Sequence, residues 1–571
     1  MSLNNNEGTI VIEKGSHTMK SYCTIFGIWL LMIGFLATSG DIASADFAFG
    51  TPVNLGANVN SPINEACPYL SPDGLTLYFY SGATSGVDGD IWVSTRPSRD
   101  AHWGPKVNVG PPVNTASIEV FPILSDDGLT LHFASNRPGG YGWLDIYVTT
   151  RATSGDSWSE PASLGPVIND VDAQDGHTFS ADGLTMYFCS CAAWPGSVGG
   201  CDLWVSSRSS PLDPWGKPAN LGPLINSAAA DWTACLSRDG RWLFFGSERP
   251  NGFGGSDLWA THRTAKDAPW EKPVNLGPRV NSVAREATPH ISADACTLVF
   301  WSNRPGGYGG WDLWEAPVVP IVDFNGDGTV DGKEVLAMAD NWGQGESACD
   351  IGPTALGDGV VDVNDLAVLA EYVGQEVNDP TLIAHWALDE AEGMSAADSV
   401  GQNNLMVLGN AAWEPASGKV GGALAFDGKD DFARSAKAVL DPSQGPFSVI
   451  AWVKGGAANR VIVSQAAGAD WLYLNQYGML TTDLKASGKD GKSLTSSAFI
   501  LDDQWHRVAL VWDGTNRSLH MDGVEVAKDT QPSLAASSGS MHIGGGKNLN
   551  PATFWSGLID NVRVYNRAVQ P

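Results

Sequence analysis

The sequence is poor in positive charge. Of its 571 residues, 34 are Lys or Arg against 63 Asp or Glu, a formal net charge of −29, and a chain so acidic repels phosphate backbones and anionic headgroups. Nucleic acid and membrane surfaces are thereby excluded as partners, and divalent cations are favoured. Long apolar runs are also scarce. The one strong run, "TIFGIWLLMIGFLAT", follows Lys14 and Lys20 and precedes the small residues "ASA" at 43–45. This is the pattern of a secretory signal over 1–45, with cleavage expected after Ala45. The run is too short to favour a membrane span, and no later segment offers one, so the expected location is secreted, extracellular or at the cell surface. Cysteine is sparse too. Seven remain after cleavage, an odd number that rules out complete internal pairing. In an oxidising compartment some should still pair, and Cys191 and Cys201, which bracket a loop longer than its counterparts, are the expected disulfide.

What the sequence has in plenty is repetition. The turns "SPDG", "SDDG", "SADG", "SRDG" and "SADA" begin at Ser71, Ser125, Ser180, Ser237 and Ser292, spaced 54, 55, 57 and 55 residues apart, a period that signals an array of supersecondary units. Each copy holds a short strand before the turn, two after it, and a "W-x-x-P-V-N-L-G" segment as a fourth. Four short strands per unit make a propeller blade. The array is offset by one strand. "FGTPVNLG" at 49–56 has no blade before it, and the last copy, ending "WDLWEAPVVP", has no fourth strand after it. The two ends complete each other, which predicts a closed five-bladed β-propeller over 49–320. The stretches "SPDGLTLYF" and "SNRPGGYGGWDLW" resemble the WD-like propeller repeat of the TolB type.

An acid stands six positions before the turn serine in four copies, as Glu65, Glu119, Asp231 and Glu286. Separated carboxylates in a propeller channel are the equipment of a glycoside hydrolase. A feature repeated in nearly every blade, however, reads as blade construction, with Arg137, Arg249 and Arg304 or backbone amides as partners. The same holds for Asp90, Asp145, Asp202, Asp257 and Asp312. Interest moves to where the pattern breaks. The third copy carries Gln174, Asp175 and His177 in place of "E-x-x-P", and its long loop carries Trp194; the fourth places Trp232 beside Asp231. Asp175, His177, Trp194 and Trp232 are the candidate ligand-binding residues, since an aromatic beside polar groups can stack on a sugar.

Residues 323–334, "DFNGDGTVDGKE", set oxygen donors at Asp323, Asn325, Asp327, the Thr329 carbonyl, Asp331 and Glu334, with Gly328 at the sharp turn, position by position the loop of an EF-hand. The expected cofactor is Ca2+. The pattern returns 31 residues later with Asp358, the Val360 carbonyl, Asp362 and Asp365, and with Asp350 as a displaced first ligand. A helix is predicted after each loop. This small α-helical EF-hand-pair module over 321–375 resembles a dockerin, which implies a cohesin-like partner. The positions that are often Ser and Thr in cohesin-binding dockerins read Gly332 and Lys333, then Val363 and Asn364, so the resemblance carries calcium further than it carries cohesin.

From 382 to 569 the texture changes to short alternating strands with Gly-rich turns, which predicts a two-sheet β-sandwich. The ordered set "GGALAFDGKDD", "FSVIAWV", "WHRVALVWDG", "HMDGVEV" and "GLIDNVRVYNRAV" resembles the laminin G-like, concanavalin A-like jelly roll. Such domains bind glycans or proteins, often with calcium; Asp398 and Asp560 are conceivable ligands, although an Asp in a turn is commonly a backbone acceptor. The fold class is mainly β. The function expected is that of an exported, non-catalytic carbohydrate- or surface-binding protein, with a polysaccharide hydrolase acting in the propeller channel and a structural scaffold component as the alternatives.

Overall fold

The computed structural model describes residues 47–571 apart from 84–88, 251, 346, 376, 378, 402 and 487–491. The expected signal, 1–45, lies outside the described residues. Four antiparallel four-stranded sheets begin with the strands Asn64–Leu70, Glu119–Leu124, Gln174–Phe179 and Asp231–Leu236, and a fifth contains Glu286–Ile291, Thr297–Ser302 and Asp312–Pro320. These are the five blades. The ring closes between chain ends: Val53–Asn54 pairs antiparallel with Glu315 and Trp314. The closing segment is longer than the repeat pattern implied, because Phe47–Phe49 also pairs with Val318–Pro320.

The Ser-x-Asp-Gly turn organises each blade. In the first, Ser71 Oγ donates to Asp73 Oδ1 at 2.6 Å, the amide of Leu75 donates to the same carboxylate, and Gly74 adopts φ 74°. The fifth copy places Ala295 in this left-handed position, at φ 55°, where a Cβ is disfavoured. At one equivalent position in each blade a phenylalanine (Phe79, Phe133, Phe188, Phe245 and Phe300) is fully buried, each worth about 1.5–3 kcal/mol of apolar burial. The innermost strands share a further kink, with Cys67, Phe121, Gly176, Thr233 and Thr288 at φ 48–54°.

The C-terminal sandwich consists of two eight-stranded sheets. Alternation along its strands, as in the strictly in-and-out Leu494–Phe499, directs one face of each sheet inward. Trp386, Trp471, Trp555 and Phe447 fill the space between them, fully buried, as expected for face-to-face packing.

Between propeller and sandwich lie α1 (Gly332–Asp340) and α2 (Val363–Ala370), the two α-helices among the described residues. Asp331 and Asp362 cap them, and Glu334 and Asp365 complete reciprocal capping boxes. Each acidic loop therefore has its exiting helix. These are the two helices predicted to follow the loops; among the described residues no helix enters either loop, so the expected EF-hand pair is not confirmed beyond two loop–helix units. The reason is connectivity: the last propeller strand ends at Pro320, so a strand feeds Asp323 directly. Among the described residues no helix is long and apolar enough to cross a membrane.

Candidate functional site

The repeated acids are fully buried. Glu65, Glu119, Asp231 and Glu286 each accept from the hydroxyl four residues earlier and from a serine on the neighbouring strand. Each also meets one cation: Lys106 at 2.7 Å, Arg137 at 3.1 Å, Arg249 at 2.5 Å and Arg304 at 3.1 Å. These carboxylates tie strands together and face no open space. The third blade departs from the scheme twice over. Gln174 replaces the acid and donates to Asp170 Oδ1 at 2.7 Å, and Ala192 stands where the arginine would be. Losing both partners together leaves no buried charge uncompensated.

The same blade holds the pattern-breaking residues. Asp175 lies on its innermost strand opposite Cys189, and burial, with no neighbouring charge contributing, pushes its carboxyl up to about 7. His177 is 2% exposed and neither ring nitrogen has a hydrogen-bond partner; burial first, and His132 second, hold it well below the ordinary imidazole value. The two imidazoles lie 6.3 Å apart. Gly176 abuts Thr233 so closely that a Cβ there would sit 2.7 Å from the Thr233 Cα, which sets the strand bearing Asp175 beside the one bearing Trp232. Trp194 does not join them. Its indole N–H donates to Asp170 and its ring packs edge-on against Trp204 at 4.9 Å. Cys191 and Cys201 are disulfide-bonded at the base of that loop.

In the first acidic loop, Asp323 Oδ1 accepts the amides of Gly326 and Asp327 at 2.8 and 3.1 Å, and Oδ2 accepts Gly328 at 2.8 Å. Gly328 sits at φ 89°. Glu334 Oε2 accepts the Asp331 amide at 2.7 Å, while Asn325 donates to Oε1. The other Asn325 side-chain atom, Oδ1, is buried without a partner. Burial raises the Asp323 carboxyl and pushes Glu334 up to about 7. Lys333 reaches Asp327 at 2.5 Å across the mouth of the loop.

The second loop reproduces this scaffold around an insertion. Asp350 accepts the amides of Asp358 and Gly359 at 2.8 and 2.6 Å, the part played by Asp323, while residues 351–357 form the insertion, most of it buried. Gly359 takes φ 92°. Asp365, shorter than Glu334, is drawn to the insertion: Oδ1 accepts Ile351 and Gly352, both at 2.7 Å, and Oδ2 accepts Asp362. Asp331 and Asp362 each use one oxygen to cap their helices, and Thr329 and Val360 bring backbone carbonyls.

In the sandwich, Asp398 accepts three backbone amides, those of His385, Val400 and Asn403, and so acts as a turn acceptor. Asp560 Oδ2 accepts Lys419 and Val420, its Oδ1 is buried without a partner, and burial pushes it up to about 6. Sequence reasoning missed an open groove lined by Met394, Asn404, Met406, Arg434, Ser435 and Ser540. Its residues lie far apart in the chain and carry no joint local signal.

A closed propeller is thus joined through two acidic loop–helix units to a jelly roll. Residues 427–571 match the model of the concanavalin A-like lectin/glucanases superfamily. No curated protein matches the chain. Among solved structures, a Trypanosoma rangeli sialidase in complex with the inhibitor DANA is 13% identical, over 90% of this chain and 92% of that one, with a TM-score of 0.41. Domain 4 of AbnA, an extracellular arabinanase from Geobacillus stearothermophilus in complex with arabinotriose, is 21% identical over 33% of this chain and 94% of that one, with a TM-score of 0.24.

Proposed function

We propose that this is an exported, non-catalytic glycan-binding protein in which the jelly roll carries the glycan site and the acidic loops take Ca2+. The observation that carries the reading is the groove on the jelly roll, of whose lining Arg434, Ser435 and Ser540 fall in the stretch that matches the concanavalin A-like model and Met394, Asn404 and Met406 precede it. Met394 and Met406 offer apolar surface, and Arg434, Asn404 and the serines offer hydrogen bonds, the mixture that a sugar with apolar faces and hydroxyl edges requires. Calcium suits the first loop because its donors are all oxygen and because the buried Asn325 Oδ1 lacks a partner. Asp323, Asn325, Asp327, Asp331, Glu334 and the Thr329 carbonyl would hold the ion, and it would offset the mutual repulsion of four carboxylates. A cohesin-like partner forms no part of the proposal.

A second reading, a hydrolase with its site in the channel, draws on the raised carboxyl of Asp175. Hydrolysis by paired carboxylates needs a second free acid about 5–9 Å away, and Glu119 and Asp231 are fully occupied by their own blades. A panel of immobilised polysaccharides, scored for retention and for release of reducing ends, tests both. Retention that weakens in Arg434→Ala without release supports the binding protein. Release that vanishes in Asp175→Asn supports the hydrolase and overturns the first reading.

A further inference from the structure

The two acidic loops face different neighbours, and each meets its neighbour in the same way. The glycine at the sharp turn of loop one, Gly328, lies under the guanidinium of Arg563 from the jelly roll; a Cβ there would stand 2.6 Å from Nη1. The equivalent glycine of loop two, Gly359, lies under the guanidinium of Arg241 from the fourth propeller blade, where a Cβ would stand 2.9 Å from Nη1. Both glycines need positive φ for the loop turn, and both also leave the bare backbone that lets an arginine settle on it.

Around these two points the grip is extensive. On the jelly-roll side Arg567 Nη2 donates to the Asp323 carbonyl at 2.6 Å, Arg507 Nη2 to Asn325 at 2.9 Å, Tyr565 Oη to Gly326 at 3.0 Å, and the Gln570 amide to Phe324 at 2.9 Å. Four successive carbonyls of loop one are therefore held from outside. None of them is the Thr329 carbonyl that the EF-hand pattern assigns to the ion, and no hydrogen bond from the described residues reaches that one. On the propeller side the insertion that displaces Asp350 supplies the contact: Ala355 and Leu356, 6% and 3% exposed, pack into the apolar cluster of Phe47, Trp242 and Val280. Arg241 is 8% exposed, its Nη1 stands 3.9 Å from Asp350 Oδ2, and neither Nε nor Nη1 has a hydrogen-bond partner.

We propose that the two-loop module is an intramolecular clamp, loop one gripping the jelly roll and loop two the propeller, so that calcium in the loops holds the two β units at one fixed angle. The proposal rests on the reading that the loops take calcium. A loop folded around its ion presents its outer carbonyls and turn glycine in the one arrangement that Arg507, Arg563, Arg567 and Tyr565 fit; a loop opened by carboxylate repulsion does not. Cation occupancy and interdomain order are thereby linked, and each stabilises the other.

The test uses the full chain with one spin label on Cys296, an exposed cysteine of the propeller, and one on the jelly roll through Tyr477→Cys, at a residue 66% exposed. Calcium binding is measured in parallel by calorimetry. A single narrow label-to-label distance in calcium that broadens in chelator is the expected result. Arg241→Ala, and separately Arg563→Ala, should give the broad distribution even in calcium while calcium heat persists at one loop or both. A distance equally narrow in calcium and chelator, with calcium heat present, overturns the clamp and leaves the calcium reading standing. Absence of calcium heat overturns both. If both arginine variants keep the narrow distance in calcium, the clamp is overturned by a route that does not depend on the metal.

Discussion

Asn54 donates to Asp312 Oδ2 at 2.9 Å across 258 positions of chain. The same bond occurs within single blades, where Asn108 meets Asp90, Asn220 meets Asp202 and Asn275 meets Asp257 at 2.7, 3.0 and 2.8 Å. The closing strand thus makes the contacts of an ordinary fourth strand. Its second contact repeats as well: Asn60 exchanges two hydrogen bonds with Leu313, as Asn114 does with Ile91.

Closure is therefore the first point to test. Removing 47–56 unpairs one face of Asp312–Pro320 and exposes a strand edge; a large loss of thermal stability with aggregation on size-exclusion chromatography is expected. Asn54→Ala, which removes the bond to Asp312 and the two that Asn54 Oδ1 accepts from Gly56 and Asn60 but leaves the strand, should cost about 1–3 kcal/mol in chemical denaturation. A deletion that melts like the intact chain contradicts a closed ring.

Asp175 makes stability depend on pH. Its folded carboxyl titrates near 7 against an ordinary 3.8, so the native state binds the proton more tightly than the unfolded chain. That contribution is fully present below about pH 4 and is lost as pH rises through 7. Asp175→Asn should be more stable than the parent at pH 8 by on the order of 2–4 kcal/mol, the gap closing toward pH 4. Comparing the two proteins at each pH removes the opposite trend of His132 and His177, whose neutral forms are favoured in the fold.

The disulfide closes a short loop, Cys191 and Cys201 being 10 positions apart. Peptide mapping of protein made in an oxidising compartment, without reductant, should recover the two halves linked. Replacing both cysteines by serine should lower stability by about 2–3 kcal/mol, with the other blades unaffected.

Calcium should raise the melting temperature of the whole chain, because binding to the native state alone adds stability by mass action, about 2.7 kcal/mol at a hundredfold excess over Kd. Asp327→Ala should remove most of that rise. Asp362→Ala should remove less, since Asp365 in the second loop is already held by Ile351 and Gly352. Equal melting of parent and Asp327→Ala in calcium and in chelator speaks against a metal in the first loop.

Blade count and sandwich were legible because they rest on local, repeated signals: the Ser-x-Asp-Gly turn every 55 residues or so, and alternation along strands such as Leu494–Phe499. The strand Phe47–Phe49 was not, since three apolar residues have no period of their own. For the candidate sites, spacing named the residues and said little of their surroundings. His177 and Trp194 look like exposed ligands in sequence, yet His177 is buried and Trp194 turns its indole onto Asp170. The grip of Arg507, Arg563 and Arg567 on the first loop was invisible for a different reason: these contacts span roughly two hundred positions, and an arginine on a strand reads as surface until its partner is known.

Synthesis runs from the N-terminus, so Val53–Asn54 exists long before Asp312–Pro320, the strand it must pair with. During synthesis the closing segment waits while four complete blades and most of a fifth are made, each able to form from neighbouring sequence. Ring formation is then the slowest and least local event in the propeller, and the waiting strand Phe47–Phe49 carries two phenylalanines that end up buried. A cell that makes this chain has to keep that short apolar segment from other partners until translation has passed Pro320.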